Sequence, residues 1–317
     1  MINFLYCFDS NYNIQAFASI YSLLNKIDEK INIHIIHKSE ETTSFIPEVI
    51  LGHSNLNEIK VYLFNIREVK FNNLNNAHVS EATFYRLYLL NYLPDKLNFV
   101  IYLDADVYCI SNPIEKLNHE IYRLEKSEYE VGFSSESKRS TKNLENFSRL
   151  NLEGNSYFNA GVMILNLKKA KSNKFTQNIS KLLLDVGKDA IYWDQDILNK
   201  YYDNNFLEIT DSLNYKINYF KKDYSKILAN NKKEICLVHY SGKFKPWNIR
   251  GVSHSSSFIF QDIYKELFKE HYFLSNARKR TALKDVIKIT LTLNFKHIKY
   301  PLKFLILSIK YLIRKSK

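Results

Sequence analysis

The hydrophobic pattern of the chain alternates between short apolar runs and longer stretches with helical spacing. The short runs are β-rich and predict strands at 2–8, 31–37, 59–65, 99–103, 158–166 and 235–240. Helical spacing predicts helices at 14–24, 82–92, 167–186 and 193–202, with a further helix between the second and third strands. Because most strand runs are apolar throughout, we expect both sheet faces to be covered. This pattern predicts an open α/β fold with a mainly parallel sheet flanked by helices.

Two segments interrupt this alternation. Residues 134–156 are polar, and we expect them to form a loop or short helices over the sheet. From residue 275 onward, basic residues are interleaved with large apolar ones, and Pro301 is expected to separate two helices there. The pattern therefore divides the chain into a body at 1–274 and a tail at 275–317.

The net charge of +12 is concentrated near the C-terminus. Residues 271–317 hold twelve Lys or Arg and one acid, a net of +11, so the first 270 residues carry 12 − 11 = +1. A near-neutral body argues against a uniformly basic nucleic-acid-binding protein. Three widely spaced cysteines, Cys7, Cys109 and Cys236, match neither a disulfide framework nor a Cys-x-x-Cys metal site, and we expect them to be reduced core residues.

The tail has the composition of an interfacial amphipathic helix. On a helical period Lys303, Lys310 and Arg314 lie near one another, opposite a broad apolar face. Lysines interrupt the apolar residues too often for a membrane span, and the chain shows no Sec-type leader. We therefore expect a cytoplasmic protein that lies peripherally on the inner face of the cytoplasmic membrane and contacts its anionic surface through this tail.

Two Asp-x-Asp triplets are candidate metal sites. Asp104-Ala105-Asp106 follows a buried strand, where both carboxylates can face one hard cation such as Mg²⁺ or Mn²⁺. The alternative is a solvated turn. Asp194-Gln195-Asp196 is a second triplet, so the motif alone is not specific.

A histidine at the end of another strand is a candidate third ligand. His239 closes an apolar run and is followed by Gly242 and Lys245, which can approach and neutralise phosphate oxygens. A structural histidine is the alternative. Asn159 and Gly161 begin another strand, where the amide could bind sugar hydroxyls, although these residues alone favour a β-bulge with a satisfied Asn.

Six motifs occur together in the order and spacing of one family. They are Asp9-Ser10-Asn11-Tyr12, Tyr85-Arg86-Leu87, Tyr102-Leu103-Asp104-Ala105-Asp106, Tyr157-Phe158-Asn159-Ala160-Gly161, Asp194-Gln195-Asp196-Ile197-Leu198-Asn199 and His239-Tyr240-x-Gly-x-x-Lys-Pro-Trp. Over about residues 2–250 the chain resembles the retaining glycosyltransferases of family eight, which include glycogenin-like enzymes and bacterial lipopolysaccharide galactosyl- and glucosyltransferases. Six motifs in order are far more specific than either Asp-x-Asp triplet.

The resemblance implies a GT-A fold, a UDP-sugar donor and Mn²⁺, with Mg²⁺ as an alternative ion. It also implies residue roles in this chain. Uracil and ribose would be held by Asp9, Asn11 and Tyr12; the donor by Arg86, Ala105 and Ala160; the metal by Asp104, Asp106 and His239; the diphosphate by Gly242 and Lys245; and the hexose by Asn159, Asp194 and Gln195. Two positions depart from the family pattern, Ser10 and Lys243.

These expectations define a reaction with two open stereochemical routes. The chain would move glucose or galactose from a UDP-hexose, with retention, to a glycolipid or oligosaccharide such as bacterial lipopolysaccharide. Retention requires either a protein nucleophile, for which Asp194 and Gln195 are the candidates, or same-face attack by the acceptor, which we favour because a neutral amide is a poor nucleophile. The alternatives are a transferase acting on a protein or soluble glycan, and a nucleic-acid-binding protein with a basic tail.

Overall fold

The computed structural model describes residues 1–66, 80–186, 190–217, 219, 234–242, 244–276 and 278–314. Lys243 lies outside them. The strands are β1 Asn3–Phe8, β2 Ile31–His37, β3 Leu56–Leu63, β4 Phe99–Leu103, β5 Val107–Cys109, β6 Val131–Lys138, β7 Ser156–Asn166, β8 Leu207–Glu208, β9 Tyr215–Lys216 and β10 Leu237–His239. The α-helices are α1 Asn13–Leu24, α2 Glu48–Leu51, α3 Ile114–Lys126, α4 Glu145–Arg149, α5 Leu167–Ser172, α6 Phe175–Val186, α7 Trp193–Tyr202, α8 Ile249–Val252, α9 Phe258–Phe268, α10 Lys279–Leu291 and α11 Pro301–Ile313. Three 3₁₀ helices span Ser10–Tyr12, Glu81–Asn91 and Asp211–Leu213.

The main sheet has seven strands in the order β3-β2-β1-β4-β7-β6-β8. Strands β3, β2, β1 and β4 run parallel, and β6 is parallel to β8. This arrangement confirms the predicted α/β class. Strand β7 is buried along its whole length but runs antiparallel to both β4 and β6. The burial of β7 on both faces therefore does not show that it runs parallel to its neighbours.

Alternate residues of each central strand enter two separate cores. In β1, Phe4 and Tyr6 join the core that contains α1, whereas Leu5 and Cys7 join the core that contains Glu81–Asn91, α6 and α7. All three cysteines are buried and unpaired with one another, as the sequence predicted. Helices therefore cover both faces of the sheet and leave its carboxyl edge for a ligand.

A small second sheet, ordered β5-β10-β9, meets the main sheet at this edge. The chain leaves β4 at Leu103 and enters β5 at Val107, so the first Asp-x-Asp triplet occupies the junction of the two sheets. His239 is the last residue of β10, which lies between β5 and β9. The junction thus brings the two ends of the predicted site together.

Several predicted boundaries were wrong. The single helix expected over 167–186 is two helices, because the chain turns at Lys174, whose φ of 55° is left-handed. The helix expected over 82–92 is a 3₁₀ helix, and the expected loop at 134–156 begins inside β6. The last predicted strand is shorter, Leu237–His239. The other predicted strands differ by at most three residues at their ends, but strands β5, β6, β8 and β9 and helix α3 were not predicted at all.

The tail forms two helices, as expected, and packs on the body. Helices α10 and α11 share a hydrophobic cluster with Ile249 and Val252 of α8 and with Tyr272. The apolar residues of α11 fall on two faces: Phe304 is buried in this cluster, whereas an i, i+4, i+7, i+11 stripe is exposed, namely Leu302, Ile306, Ile309 and Ile313. Among the described residues, none of the helices combines the length and apolar character needed to cross a bilayer.

Candidate active site

A cavity of about 560 Å³ opens at the carboxyl edge of the main sheet. This volume is within the usual range for a small-molecule site. Its lining includes most of the residues that the sequence singled out: Tyr12, Arg86, Asp104, Ala105, Asp106, Asn159, Ala160, Asp194, Gln195, His239, Gly242 and Lys245. Asp9 and Asn11 are not among the lining residues in the described part of the chain; Asp9 Oδ1 accepts a hydrogen bond from Asn11 N and so caps the turn that carries Tyr12.

Three possible metal ligands converge at the junction of the sheets. One ligand atom each from Asp104, Asp106 and His239 lies within 4.8 Å of the others. Gly161 makes this convergence possible: a Cβ built at this position would lie 2.2 Å from His239 Cε1 and 2.9 Å from Asp104 Oδ2. A glycine is therefore required at position 161, because a side chain there would occupy the space of His239 and Asp104.

Each oxygen of the Asp106 carboxylate lies beside a basic side chain. Oδ2 forms an ion pair with Lys245, and Oδ1 lies 3.3 Å from His239 Nε2. Burial alone would raise the pKa of Asp106, but Lys245 and His239 hold it well below its ordinary value. Oδ1 is buried and makes no well-formed hydrogen bond with the described groups. An ionised oxygen left in this state fits a divalent cation.

Arg86 joins the metal-ligand cluster to a second carboxylate. Its Nη2 lies 2.6 Å from Asp104 Oδ1, and its Nε lies 2.9 Å from Asp194 Oδ2. Burial would lower the pKa of the guanidinium, whereas Asp104 and Asp194 raise it, and the net pKa is above its ordinary value. The Tyr102 ring lies 4.0 Å from the guanidinium carbon and its hydroxyl donates to Asp104. Arg86 is therefore a fixed positive charge between the two acids.

Asp194 is held in the first turn of α7 and is 3% exposed. Thr83 Oγ1 donates to its Oδ1 at 2.5 Å. Oδ2 is in ionic contact with Arg86 but accepts no well-formed hydrogen bond from the described groups. Burial raises the pKa of Asp194 to about 6, although Arg86 opposes the shift. Oδ2 is thus a buried acceptor on the cavity wall.

Gln195 is engaged by the protein on both sides of its amide. Its Oε1 accepts hydrogen bonds from Asn159 Nδ2 at 3.1 Å and from Ala160 N at 3.2 Å. Its Nε2 donates to Glu136 Oε2 at 3.1 Å and to Tyr157 OH at 3.2 Å. Both carbonyl lone pairs and both N–H groups of the amide are occupied by protein partners, so Gln195 has no free lone pair with which to act as a nucleophile.

The second Asp-x-Asp triplet does not form a shared cation site. Residues two apart on a helix point in different directions, and Asp196 points away from Asp194. Asp196 is fully buried, forms a bidentate ion pair with Arg149 and accepts a hydrogen bond from Tyr157 OH. Asp196 therefore holds α7 against β7 and α4, and only the first triplet faces a third ligand.

Three residues of the site were missed by the sequence reasoning. Thr83 and Glu136 line the cavity, and Asn214 contacts His239 from behind. Glu136 lies on β6, inside the segment that was expected to be a loop; its neighbours Ser135 and Ser137 are polar and half-buried, so no hydrophobic alternation indicates it. Asn214 follows a 3₁₀ turn, and its surrounding sequence carries no recognisable signal.

Comparisons with known proteins agree with this arrangement. The model of glycosyl transferase family 8 matches residues 3–250. The lipopolysaccharide 1,2-glucosyltransferase of Escherichia coli is 29% identical over 97% of this chain and 89% of its own. The lipopolysaccharide 1,3-galactosyltransferase of Salmonella typhimurium is 27% identical over 82% of this chain and 77% of its own.

The fold is also that of a solved enzyme. The galactosyltransferase LgtC, in a complex with donor and acceptor sugar analogs, superposes with a TM-score of 0.62 at 20% identity, covering 84% of this chain and 96% of LgtC. The protein therefore shares the GT-A fold with LgtC, and the family match over residues 3–250 makes it a sugar-transferring enzyme. The chain belongs to glycosyl transferase family 8.

Proposed function

We propose that the chain transfers glucose or galactose from a UDP-hexose, with retention, to a saccharide of bacterial lipopolysaccharide. Two relatives with high coverage are named as lipopolysaccharide transferases, one a 1,2-glucosyltransferase and one a 1,3-galactosyltransferase. The observation that carries the proposal is the cavity that combines a two-carboxylate, one-imidazole cluster with Lys245, Arg86 and the Arg86-paired carboxylate of Asp194. The diphosphate of a sugar donor requires the cation cluster and the basic side chains, and its sugar requires a carboxylate beside them.

The cluster fits a divalent cation, and we propose Mn²⁺, with Mg²⁺ as the alternative. Asp104, Asp106 and His239 would hold it, since two carboxylates and an imidazole are acceptable ligands for Mn²⁺. When bound, the cation would neutralise negative charge that grows on the diphosphate as the glycosidic bond breaks.

The protein side chains would supply the remaining charge stabilisation. Lys245, beside Asp106, is positioned to donate to phosphate oxygens. Arg86 is held by two carboxylates and raises the positive potential beneath the donor. Asp194, on the wall of the cavity, would orient and stabilise the sugar through its negative charge. Because Gln195 has no free carbonyl lone pair and Asp194 is paired with Arg86, these residues favour same-face attack by the acceptor over a covalent intermediate.

A donor panel tests this proposal directly. Titration calorimetry with UDP, UDP-glucose, UDP-galactose, UDP-N-acetylglucosamine and GDP-mannose, with and without Mn²⁺, is expected to show Mn²⁺-dependent binding of uridine nucleotides. One UDP-hexose should bind at least about tenfold more tightly with the ion, or 1.4 kcal/mol. Tighter binding of GDP-mannose than of every UDP-sugar would contradict the proposed donor, and no nucleotide binding would contradict the whole site.

We also propose that residues 275–317 attach the enzyme peripherally to the anionic inner face of the cytoplasmic membrane. The exposed apolar stripe of α11 lies beside Lys303, Lys310 and Arg314, all of them exposed. Helix α10 has a similar exposed stripe of Leu283, Ile287 and Leu291. Each such side chain that enters the lipid interface would contribute about 1.5–3 kcal/mol, and each cation near an anionic leaflet about 1 kcal/mol.

A matched pair of leucines tests the tail. Leu302 is 76% exposed on α11, and Leu184 is 81% exposed on α6 of the body. Leu302→Ser is expected to lower partitioning into anionic vesicles about tenfold, because it removes apolar area from the interface. Leu184→Ser should leave partitioning unchanged, and neither variant should alter transfer to a soluble acceptor. Equal vesicle binding by both variants in a sedimentation assay would contradict the proposed membrane face.

A further inference from the structure

A chain of buried side-chain amides runs from the backbone of β7 to the imidazole of His239. Gly161 N donates to Asn159 Oδ1 at 3.0 Å, and Asn214 Nδ2 donates to the same oxygen, also at 3.0 Å. Asn214 Oδ1 then lies 2.9 Å from His239 Nδ1. The three side chains are almost completely buried, Asn214 at 0% exposure, so water does not compete for these hydrogen bonds.

The backbone N–H of Gly161 fixes which atom donates and which accepts in each of these hydrogen bonds. A backbone N–H only donates, so the Asn159 atom that faces Gly161 is its oxygen. Because this oxygen also faces Asn214, Asn214 must present its NH₂ group there and its oxygen to His239. That oxygen only accepts, so the proton of a neutral imidazole lies on Nδ1. Gln195 agrees with this direction, since its oxygen faces the NH₂ group of Asn159.

The consequence falls on the other ring nitrogen. His239 Nε2 carries a lone pair and lies 3.3 Å from Asp106 Oδ1 and 3.9 Å from Asp104 Oδ2. All three atoms are then acceptors, and a cation is the partner they can share. Without Asn214, the imidazole could move its proton to Nε2 and donate to Asp106, which would close the site to a metal.

We propose that Asn214 is a positioning residue that selects the metal-binding tautomer of His239, and that Asn159 in turn orients Asn214. The inference rests on the proposed cation site and adds a residue that the Asp-x-Asp and His motifs do not contain. Asn214 acts on the cation site through His239, because its amide oxygen contacts the ring nitrogen that faces away from the carboxylates.

The protonated nitrogen can be observed without any metal or substrate. In metal-free protein, at a pH well above the usual imidazole pKa of about 6.5, nitrogen-15 NMR should show Nδ1–H and an unprotonated Nε2 for His239. The signal is assigned by its loss in His239→Gln. In Asn214→Leu, which removes the acceptor and keeps the volume, the proton is expected on Nε2. Asn214→Asp keeps the acceptor that faces His239 and should retain Nδ1–H, although it removes the donor to Asn159 Oδ1.

The metal affinity provides a second readout. Asn214→Leu is expected to weaken Mn²⁺ binding about 10–100-fold, the usual effect of losing the partner of a ligating histidine, whereas Asn214→Asp should stay within about threefold of wild type. Asn166→Ala is the matched control, since Asn166 is a buried asparagine that caps α5 at the far end of β7. It should change neither the tautomer nor the affinity.

Two results would overturn the proposal. A proton on Nε2 in a wild-type protein that binds Mn²⁺ would show that the amide chain runs in the opposite direction, and this measurement stands even if Asn214→Leu does not fold. Unchanged Mn²⁺ affinity in folded Asn214→Leu would show that Asn214 has no role in positioning. Failure of wild-type protein to bind Mn²⁺ would instead overturn the cation site itself, and with it the proposed function.

Discussion

Replacing Asp104 and Asp106 together by Asn is expected to lower kcat/KM for sugar transfer by about 10³-fold or more, with the fold intact. The double variant keeps the shapes of both side chains but removes the two negative charges that would hold the cation. Arg86 retains Asp194 as a partner, so no buried guanidinium is left unpaired. Calorimetry with Mn²⁺ and a transfer assay over a series of Mn²⁺ concentrations measure both losses.

A double variant with the same change in charge serves as the control. Asp95 and Asp262 are surface acids paired with Lys171 and Lys299. Such pairs contribute about 1 kcal/mol or less, so Asp95→Asn with Asp262→Asn should transfer sugar at the wild-type rate. Metal-dependent transfer that survived the Asp104 and Asp106 replacements would contradict the assignment of these carboxylates as ligands.

Asp194→Asn is expected to lower kcat about 10²–10³-fold while UDP affinity changes by less than about threefold. The carboxylate contacts Arg86 and Thr83, and Asp194 lines the same cavity as Gln195 and Asn159, the residues proposed to surround the hexose. Its negative charge would matter most when the sugar develops positive charge in the transition state. An equal loss in kcat and in nucleotide affinity would show that Asp194 only binds the donor.

The burial of Asp194 also predicts how kcat depends on pH. Since the pKa of Asp194 is raised to about 6, the folded protein protonates this group at a pH where an unfolded chain would already have lost the proton. Wild-type kcat should therefore fall as the pH drops below about 6, and this limb should be absent in Asp194→Asn. A pH–rate profile with the same limb in both proteins would assign the titration to another group.

As the pH rises toward about 6, we expect kcat to rise, whereas the ionisation of Asp194 should lower the free energy of unfolding. Ionisation of a group with a raised folded-state pKa costs stability, and the cost is absent below the unfolded pKa and complete above the folded one. For a pKa moved from 3.8 to about 6 this is on the order of 3 kcal/mol. Asp194→Asn should thus become more stable relative to wild type as the pH rises from about 4 to about 6. A lower Tm for the variant at neutral pH would show that Asp194 is structural.

Most strands of the main sheet and most residues of the cavity wall could be predicted from the sequence, because the patterns that indicate them lie within short segments. An apolar run such as β4, followed at once by two aspartates, reports both a buried strand and what lies at its end. This strand context already favoured the first Asp-x-Asp triplet over the second, and the order of the motifs supplied the rest. The structure adds the physical reason, which is that Asp196 is committed to Arg149.

What could not be predicted depends on contacts between distant segments. The direction of β7 is set by its partners β4 and β6, and its own residues are apolar in either direction. The end of α5 has no Gly or Pro, so the left-handed Lys174 leaves no mark in the sequence. Asn214 reaches His239 across the second sheet, and the split of the α11 apolar residues into docked and exposed faces exists only because α8 lies beneath it.

The order of strands in the second sheet has a consequence for biosynthesis. Strand β10 is inserted between β5 and β9, both of which precede it in the chain. While the ribosome is still adding residues beyond β9, a nascent chain already contains Asp104 and Asp106 but lacks the imidazole of His239 and the ammonium of Lys245, which are their partners in the folded protein. The acidic pair must therefore wait for the last strand, so the growing chain becomes a competent transferase only when synthesis has passed His239.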